Sequence, residues 1–190
     1  MSERGRFLLA TLCGLVLAGI VHIVIVLAVP RLAENDAYGR LRHTASAEQA
    51  ELVTASGSPT WLPRPDPAVA VAACVFDLDE GPLRVSAKAG DLFQSLSVHA
   101  KGGSVFYAVT DRAAVRGELE LVVMTRRQLD EALAEEDEDE PSRDVRIIAP
   151  RREGFVIIRV AAPFPSLRAQ AEETAKAVSC AVEGSEGVQG

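Results

Sequence analysis

The segment LFQSLSVHAKGGSVFYAVT, residues 92–110, contains the pattern that decides the fold. Between Ser95 and Ala100, polar and apolar residues alternate, which is the pattern of a strand with one buried face. The glycine pair at 102–103 is followed by a second β-rich run, SVFYAVT, and two such runs around a glycine turn predict a β-hairpin. The segment therefore predicts two antiparallel neighbours in a sheet.

Strand and helix patterns continue on both sides of this hairpin. Two helices are predicted, at 125–137 and at 166–182, and the second has an apolar stripe and can be capped by Ser166. With the hairpin, seven short strands joined mostly by turns predict an α+β, mostly β fold. We expect an antiparallel β-sheet or sandwich with two helices packed against it. The five strands outside the hairpin are predicted at 68–76, 83–87, 118–124, 144–149 and 154–163.

An uncharged run, FLLATLCGLVLAGIVHIVIVLAV, occupies residues 7–29. As a helix about 35 Å long it would cross a hydrocarbon core about 30 Å thick, which predicts one transmembrane helix. A signal peptide has a shorter apolar region, of roughly 7–15 residues, followed by a small-x-small cleavage site. No convincing site follows this run, so we expect an uncleaved signal anchor.

The arginines on the two sides of the span nearly balance, so the positive-inside rule decides little about orientation. The span is the first in the chain, and the cysteine usage fits an oxidising compartment, so we expect the main domain outside the cytoplasm. The predicted organisation is a cytoplasmic N-terminus at 1–6, the span at 7–29, a juxtamembrane stalk at 30–58, a β-rich extracytoplasmic domain at 59–183 and a flexible tail at 184–190.

One face of the span is lined by Ala10, Gly14, Ala18 and His22, because residues four apart are neighbours on a helix. Small residues at this spacing let a second helix approach closely in lipid, and an ionisable residue there usually faces protein or a cavity. This pattern predicts a helix-contact face. One alternative is a neutral histidine tolerated in a very hydrophobic helix. Another is proton or metal chemistry, for which the span offers no second ionisable residue.

The chain has three cysteines. Cys13 lies in the span and is expected to be inert. Cys74 falls in the first predicted strand and Cys180 near the end of the last predicted helix, so a disulfide between them would join the two ends of the domain. Such a bond would contribute at most about 4–5 kcal/mol in the chain-entropy model. The alternative is two free buried thiols, and no CxxC motif supports redox or zinc chemistry.

Few patterns in the chain indicate chemistry. The net charge of −7 argues against a nucleic-acid partner, and most of it comes from the acid run EEDEDE at 135–140. We interpret this run as a solvated loop or a frayed helix end rather than a cation site. No nucleotide-binding, metalloprotease or serine-hydrolase motif is present. We expect no catalytic residue, no cofactor and no metal ligand, and we lean away from an enzyme.

A polar cluster of His99, Tyr107, Asp111 and Arg112 around the hairpin could hold a small ligand, or could be an ordinary surface network.

The stretches PDPAVAVAACVFDLDEGPLRVSA and GDLFQSLSVHAKGGSVFYAVTDRAA resemble a family of bacterial envelope proteins that carry domain of unknown function 1254. The resemblance extends to GIVHI in the span, to EGFVIIRV and to the final cysteine. In longer relatives a second domain, domain of unknown function 1214, follows the first. The resemblance therefore implies a short form, in which a separate membrane-anchored protein supplies the second domain. No catalytic residues are established for the family, so none are carried over.

These patterns together predict a single-pass protein of the bacterial inner membrane with a periplasmic β-rich domain. We expect it to act as an interaction component of an envelope complex, through the separate membrane-anchored partner or through self-association. The alternative is a periplasmic small-molecule-binding module or enzyme, with its site near His99, Tyr107 and Arg112.

Overall fold

The structure is a computed structural model that describes residues 2–32, 37–43, 49–53, 65–135 and 144–183. The chain forms two compact units, Met1–Asn35 and Asp36–Gly190. Five predicted features lie partly or wholly outside the described residues: the stalk at 30–58, the end of the helix predicted at 125–137, the acid run after Glu135, the start of the β-rich domain at 59–64, and the tail at 184–190.

The first unit contains one long helix, α1 (Glu3–Leu32). Within it, the 27 residues Glu3–Val29 are long and apolar enough to cross a membrane, and none of their most apolar window is buried. Large apolar side chains such as Phe7, Ile20 and Leu27 are more than half exposed. By length and composition, α1 therefore fits a membrane anchor.

The second unit is α+β and mostly β, as predicted, with two sheets that enclose one core. The five-stranded sheet has the order β1-β2-β8-β4-β5, and the four-stranded sheet has the order β7-β6-β3-β9. All strand pairs are antiparallel except β6 and β7. The strands are β1 (Glu51–Leu52), β2 (Val69–Asp77), β3 (Leu83–Lys88), β4 (Gln94–Ala100), β5 (Val105–Thr110), β6 (Glu118–Met124), β7 (Val145–Ile148), β8 (Glu153–Ala161) and β9 (Ser179–Val182). The helices of this unit are α2 (Ala37–Leu41), α3 (Arg126–Glu135) and α4 (Arg168–Lys176).

The main core forms because successive residues of a strand point to opposite faces of a sheet. In β4, Leu96 and Val98 point inward and are buried, while Ser95 and His99 point outward. β2 and β8 contribute inward residues in the same way, and they meet the inward residues of β3, β6 and β9. Each such Leu, Ile or Val stabilises the fold by roughly 1.5–3 kcal/mol when it is fully buried.

The last predicted helix, 166–182, is wrong in its second half. α4 ends at Lys176, and residues 179–182 form β9, which pairs with β3 through Cys180 and Val85. Val178, Cys180 and Val182 are buried in alternation, which is a strand pattern. Val178 and Val182 are also four residues apart, so they satisfy a helical stripe as well. Ser166 does not cap α4, since the N-cap position is Leu167 and lacks a side-chain cap hydrogen bond.

The folded unit also includes residues that the sequence assigned to the stalk at 30–58. Tyr38 and Leu41 of α2 are buried in a second apolar cluster, against the outer face of β2 and β8 at Val75 and Phe155. The Tyr38 hydroxyl donates a hydrogen bond to Glu153 at 3.3 Å. These two apolar side chains hold α2 on the sheet because they cover an apolar patch that β2 and β8 form.

Candidate functional site

The outer face of the five-stranded sheet has two different halves. Near Phe155, the face is apolar and covered by α2. Toward the other end of the strands it is polar, and the strand register places Thr110, Ser95 and Arg159 side by side across β5, β4 and β8. The next row of outward positions holds Ser97, which pairs with Ala108. If the predicted ligand-site residues form one site on this face, the site should lie in the polar half.

The polar half contains an open depression with a volume of about 570 Å³. Arg112 and Arg159 line it, together with the hydroxyl-bearing side chains of Ser95, Ser97 and Thr110. Both arginines are exposed, whereas Ser97 is only 8% exposed. The depression thus combines two cations with a partly buried hydroxyl.

His99 adjoins this depression through Ser97. Its Nε2 lies 3.0 Å from the Ser97 Oγ, and its Nδ1 lies 3.3 Å from the carbonyl oxygen of Gly103. When Nδ1 carries the proton, it donates to Gly103, and the Ser97 hydroxyl can donate to Nε2. Arg159 in turn donates to the Ser97 Oγ at 3.2 Å. The imidazole also stacks on the ring of Phe155, with centroids 4.8 Å apart.

The pKa of His99 is lowered from its ordinary value of 6.5. Burial is the largest cause, because it disfavours the charged imidazolium. The positive charge of Arg159 lowers the pKa further, while the hydrogen bond to Gly103 opposes both effects. A neutral imidazole fits this network, since Nε2 can then accept a hydrogen bond.

The structure does not bring Tyr107 together with His99. Tyr107 pairs with Val98, whose side chain points into the main core, and Tyr107 packs against that core. The register shifts between Val98 and His99, so His99 pairs with Val105 instead. His99 and Tyr107 therefore lie on opposite faces of the sheet, and the predicted four-residue cluster does not form one site.

Asp111 and Arg112 belong to a short 3-10 turn, Asp111–Ala113, that follows β5. The Oδ2 of Asp111 accepts a hydrogen bond from the backbone N–H of Gln94 at 3.3 Å, which fixes the turn to the start of β4. Asp111 is not among the residues that line the depression, whereas Arg112 is. Of the predicted ligand residues, Arg112 alone lines the depression, and His99 contacts it through Ser97.

Sequence reasoning missed Arg159 as a site residue. Its signal is the single charge that interrupts the apolar run GFVIIRVAA in β8. Phe155 and Ile157, which share the face of Arg159, belong to the cluster under α2. Arg159 is the next residue on this face after Ile157. Its charge indicates where the half covered by α2 ends and the exposed half begins.

A disulfide joins Cys74 in β2 to Cys180 in β9. Both cysteines are fully buried, and their Cα atoms are 6.5 Å apart. Because β2 belongs to the five-stranded sheet and β9 to the four-stranded sheet, the bond connects the two layers across the core. Cys13 is free and exposed.

The predicted helix-contact residues are all exposed on α1: Ala10, Gly14, Ala18 and His22. At Gly14, an added β carbon would meet no atom within 4 Å. The structure contains no group of three His, Cys, Asp or Glu side chains that could hold a metal ion, within the ranges that it describes.

No family model and no curated protein matches the chain. Among solved structures, the VPA0106 protein from Vibrio parahaemolyticus is similar, with a TM-score of 0.54 and 14% identity over 79% of this chain and 35% of that chain. An uncharacterized protein from Burkholderia cenocepacia gives a TM-score of 0.46 and 12% identity over 65% of this chain and 33% of its own. The chain thus spans about a third of the length of either structure. At this identity, the VPA0106 match shows a shared fold alone.

Proposed function

We propose that this chain is a single-pass protein of the bacterial inner membrane whose β-rich domain lies in the periplasm and binds a protein partner in an envelope complex. The observation that carries the location is the buried Cys74–Cys180 disulfide. Disulfides form and persist in oxidising compartments such as the bacterial periplasm and are rare in the cytosol. α1 supplies a helix long and apolar enough to be the anchor.

Two features support a protein partner. First, α1 carries the contact face of Ala10, Gly14, Ala18 and His22, which suits close approach by a second membrane helix. Second, β5 and β7 are each one of the two outer strands of their sheet, and Val105 and Val145 on them are 56% and 41% exposed. An outer strand can pair with a strand of another protein.

The partner we propose is a separate membrane-anchored protein that carries a second domain, as the resemblance to domain of unknown function 1254 implies. The similar fold in the VPA0106 structure occupies about a third of a longer chain, so this fold does occur beside further polypeptide. Self-association through α1 is the other outcome that the partner experiment distinguishes.

Location is tested with topology reporters fused after Val182 and with thiol labelling of intact cells. We expect a reporter that is active only in the periplasm to be active, and Cys74 and Cys180 to react with thiol reagents only after reduction and unfolding. Labelling of both cysteines without reduction, together with an active cytoplasmic reporter, would contradict the periplasmic location.

Partner binding is tested by purifying the tagged full-length chain in a mild detergent and identifying co-purified proteins by mass spectrometry. We expect a membrane-anchored protein in a stoichiometric amount. Recovery of a homo-oligomer would indicate self-association instead. Recovery of the monomer alone, under conditions that preserve other membrane complexes, would contradict both arrangements.

A further inference from the structure

We propose that the depression on the outer face of the five-stranded sheet binds a small oxyanion, a ligand that carries a carboxylate or a phosphate group. The depression is the one lined by Arg112, Arg159, Ser95, Ser97 and Thr110. This inference goes beyond the proposed function, because it concerns a ligand of the domain rather than its anchor or its protein partner.

The charges around the depression are the first argument. Among the residues that the structure describes, no carboxylate lies within ion-pair distance of Arg112 or Arg159. Four other arginines of the domain do have a carboxylate partner: Arg84, Arg127, Arg152 and Arg168. The lining of the depression contains no acidic residue. Two guanidinium groups therefore line a space in which none of the described residues supplies their natural partner, an oxyanion.

The positions of the donors are the second argument. Ser97 is almost fully buried, and its Oγ accepts a hydrogen bond from Nη1 of Arg159. The same hydroxyl is held on its other side by Nε2 of His99. This chain of contacts fixes the Arg159 side chain at the edge of the depression. A guanidinium has five N–H donors, so most of them stay available to a ligand.

The neighbouring acidic residue, Asp111, is not part of the lining of the depression. Asp111 precedes Arg112 in the chain, yet its carboxylate binds the backbone N–H of Gln94. A second depression, of about 450 Å³, provides a contrast, since three acidic and three basic side chains line it. There, Lys101 pairs with Glu153 and Arg152 with Asp79. Unlike this second depression, the depression at Arg159 combines cations with hydroxyls and has no acidic residue in its lining.

The test uses the full-length protein in an uncharged detergent, with inorganic phosphate and citrate as probes and NMR chemical shifts as the readout. We expect saturable shifts at the backbone amides of Ser95, Ser97 and Thr110. Arg159→Gln and Arg112→Gln should each weaken binding by about tenfold, because each removes a charge-assisted hydrogen bond. The matched control is Arg126→Gln, which removes the same charge from an exposed position on α3 and should change binding less than about twofold.

A second arm separates a soluble ligand from a lipid headgroup. The same shifts are recorded in nanodiscs of phosphatidylcholine and of phosphatidylglycerol. Shifts caused by phosphate or citrate in solution support a soluble oxyanion, and shifts that appear only with phosphatidylglycerol support a headgroup. The proposal is overturned if neither probe nor lipid shifts these amides, or if Arg126→Gln weakens binding as much as the other two variants.

Discussion

Cys74 and Cys180 are bonded to each other across the main core. The bond joins β2 of the five-stranded sheet to β9, an outer strand of the four-stranded sheet. The two cysteines are 106 residues apart in the chain. β9 is short and lies at the end of the four-stranded sheet, next to β3 only. The disulfide therefore holds in place an outer strand that pairs with a single strand of its sheet.

Replacement of both cysteines should destabilise the domain strongly. For Cys74→Ala/Cys180→Ala we expect a loss of about 4 kcal/mol in the free energy of unfolding, from the chain entropy regained by the unfolded state. The measurement is denaturant unfolding of the full-length protein in detergent, with and without a reducing agent. Cys13→Ala is the matched control and should leave stability unchanged. Equal stability of the double variant, the Cys13→Ala control and the unchanged protein would show that the bond does not form in the purified protein.

Gly154→Ala should destabilise the sheet where β8 lies between β2 and β4. A β carbon at Gly154 would collide with the carbonyl oxygen of His99 and the ring of Phe76. Both neighbours are held in the sheet, so we expect a loss of about 1–3 kcal/mol in the free energy of unfolding. Gly90→Ala is the control, because a β carbon there meets nothing within 4 Å, and it should change stability by less than about 0.5 kcal/mol. Similar melting curves for both variants would argue against this close packing.

His99 should make the domain less stable in acid. Its pKa in the folded state is lowered from 6.5, so the folded state binds a proton less readily than the unfolded state does. As the pH falls below about 6.5, the unfolded state gains a proton that the folded state resists, and the free energy of unfolding decreases. His99→Gln should reduce the dependence of the free energy of unfolding on pH. His43→Gln, which changes an exposed position, should leave this pH dependence as it is in the unchanged protein. Stability curves between pH 7 and pH 5 provide the measurement.

Gly14→Leu should weaken association through α1. A leucine would fill the space that now lies open above the helix at Gly14, and it would keep a partner helix at a distance. We expect at least about a threefold decrease in crosslinked complex, with membrane insertion unchanged. Val16→Leu is the control, since Val16 lies about 200° around the helix from Gly14. His22→Leu should also weaken the complex, and an unchanged complex in both variants would leave His22 as a tolerated polar residue.

The hairpin at 92–110 could be predicted closely from the sequence, because the glycine turn and the alternation fix both strands. β4 and β5 cover 94–100 and 105–110, within two residues of the prediction. The orientation of Tyr107 could not be predicted, since it depends on the register of the strand pair, which places Tyr107 opposite the inward-pointing Val98. β9 was missed for a different reason: its buried residues fit both a helical and an extended period, and only pairing with β3 decides between them. The depression at Arg159 depends on residues from three strands, so no local pattern reveals it.

Gln49 and Ala50, which come after α2 in the chain, lie beside β9. Gln49 forms an antiparallel bridge with Ser179, and the N–H of Ala50 donates to the carbonyl of Val178. Tension applied through α1 would therefore act first on α2 and then on this bridge, before it could separate the paired strands of the sheets. The disulfide keeps β9 attached to β2 under such a load. Under tension we therefore expect α2 and the Gln49–Ser179 bridge to detach first, while the two sheets stay folded.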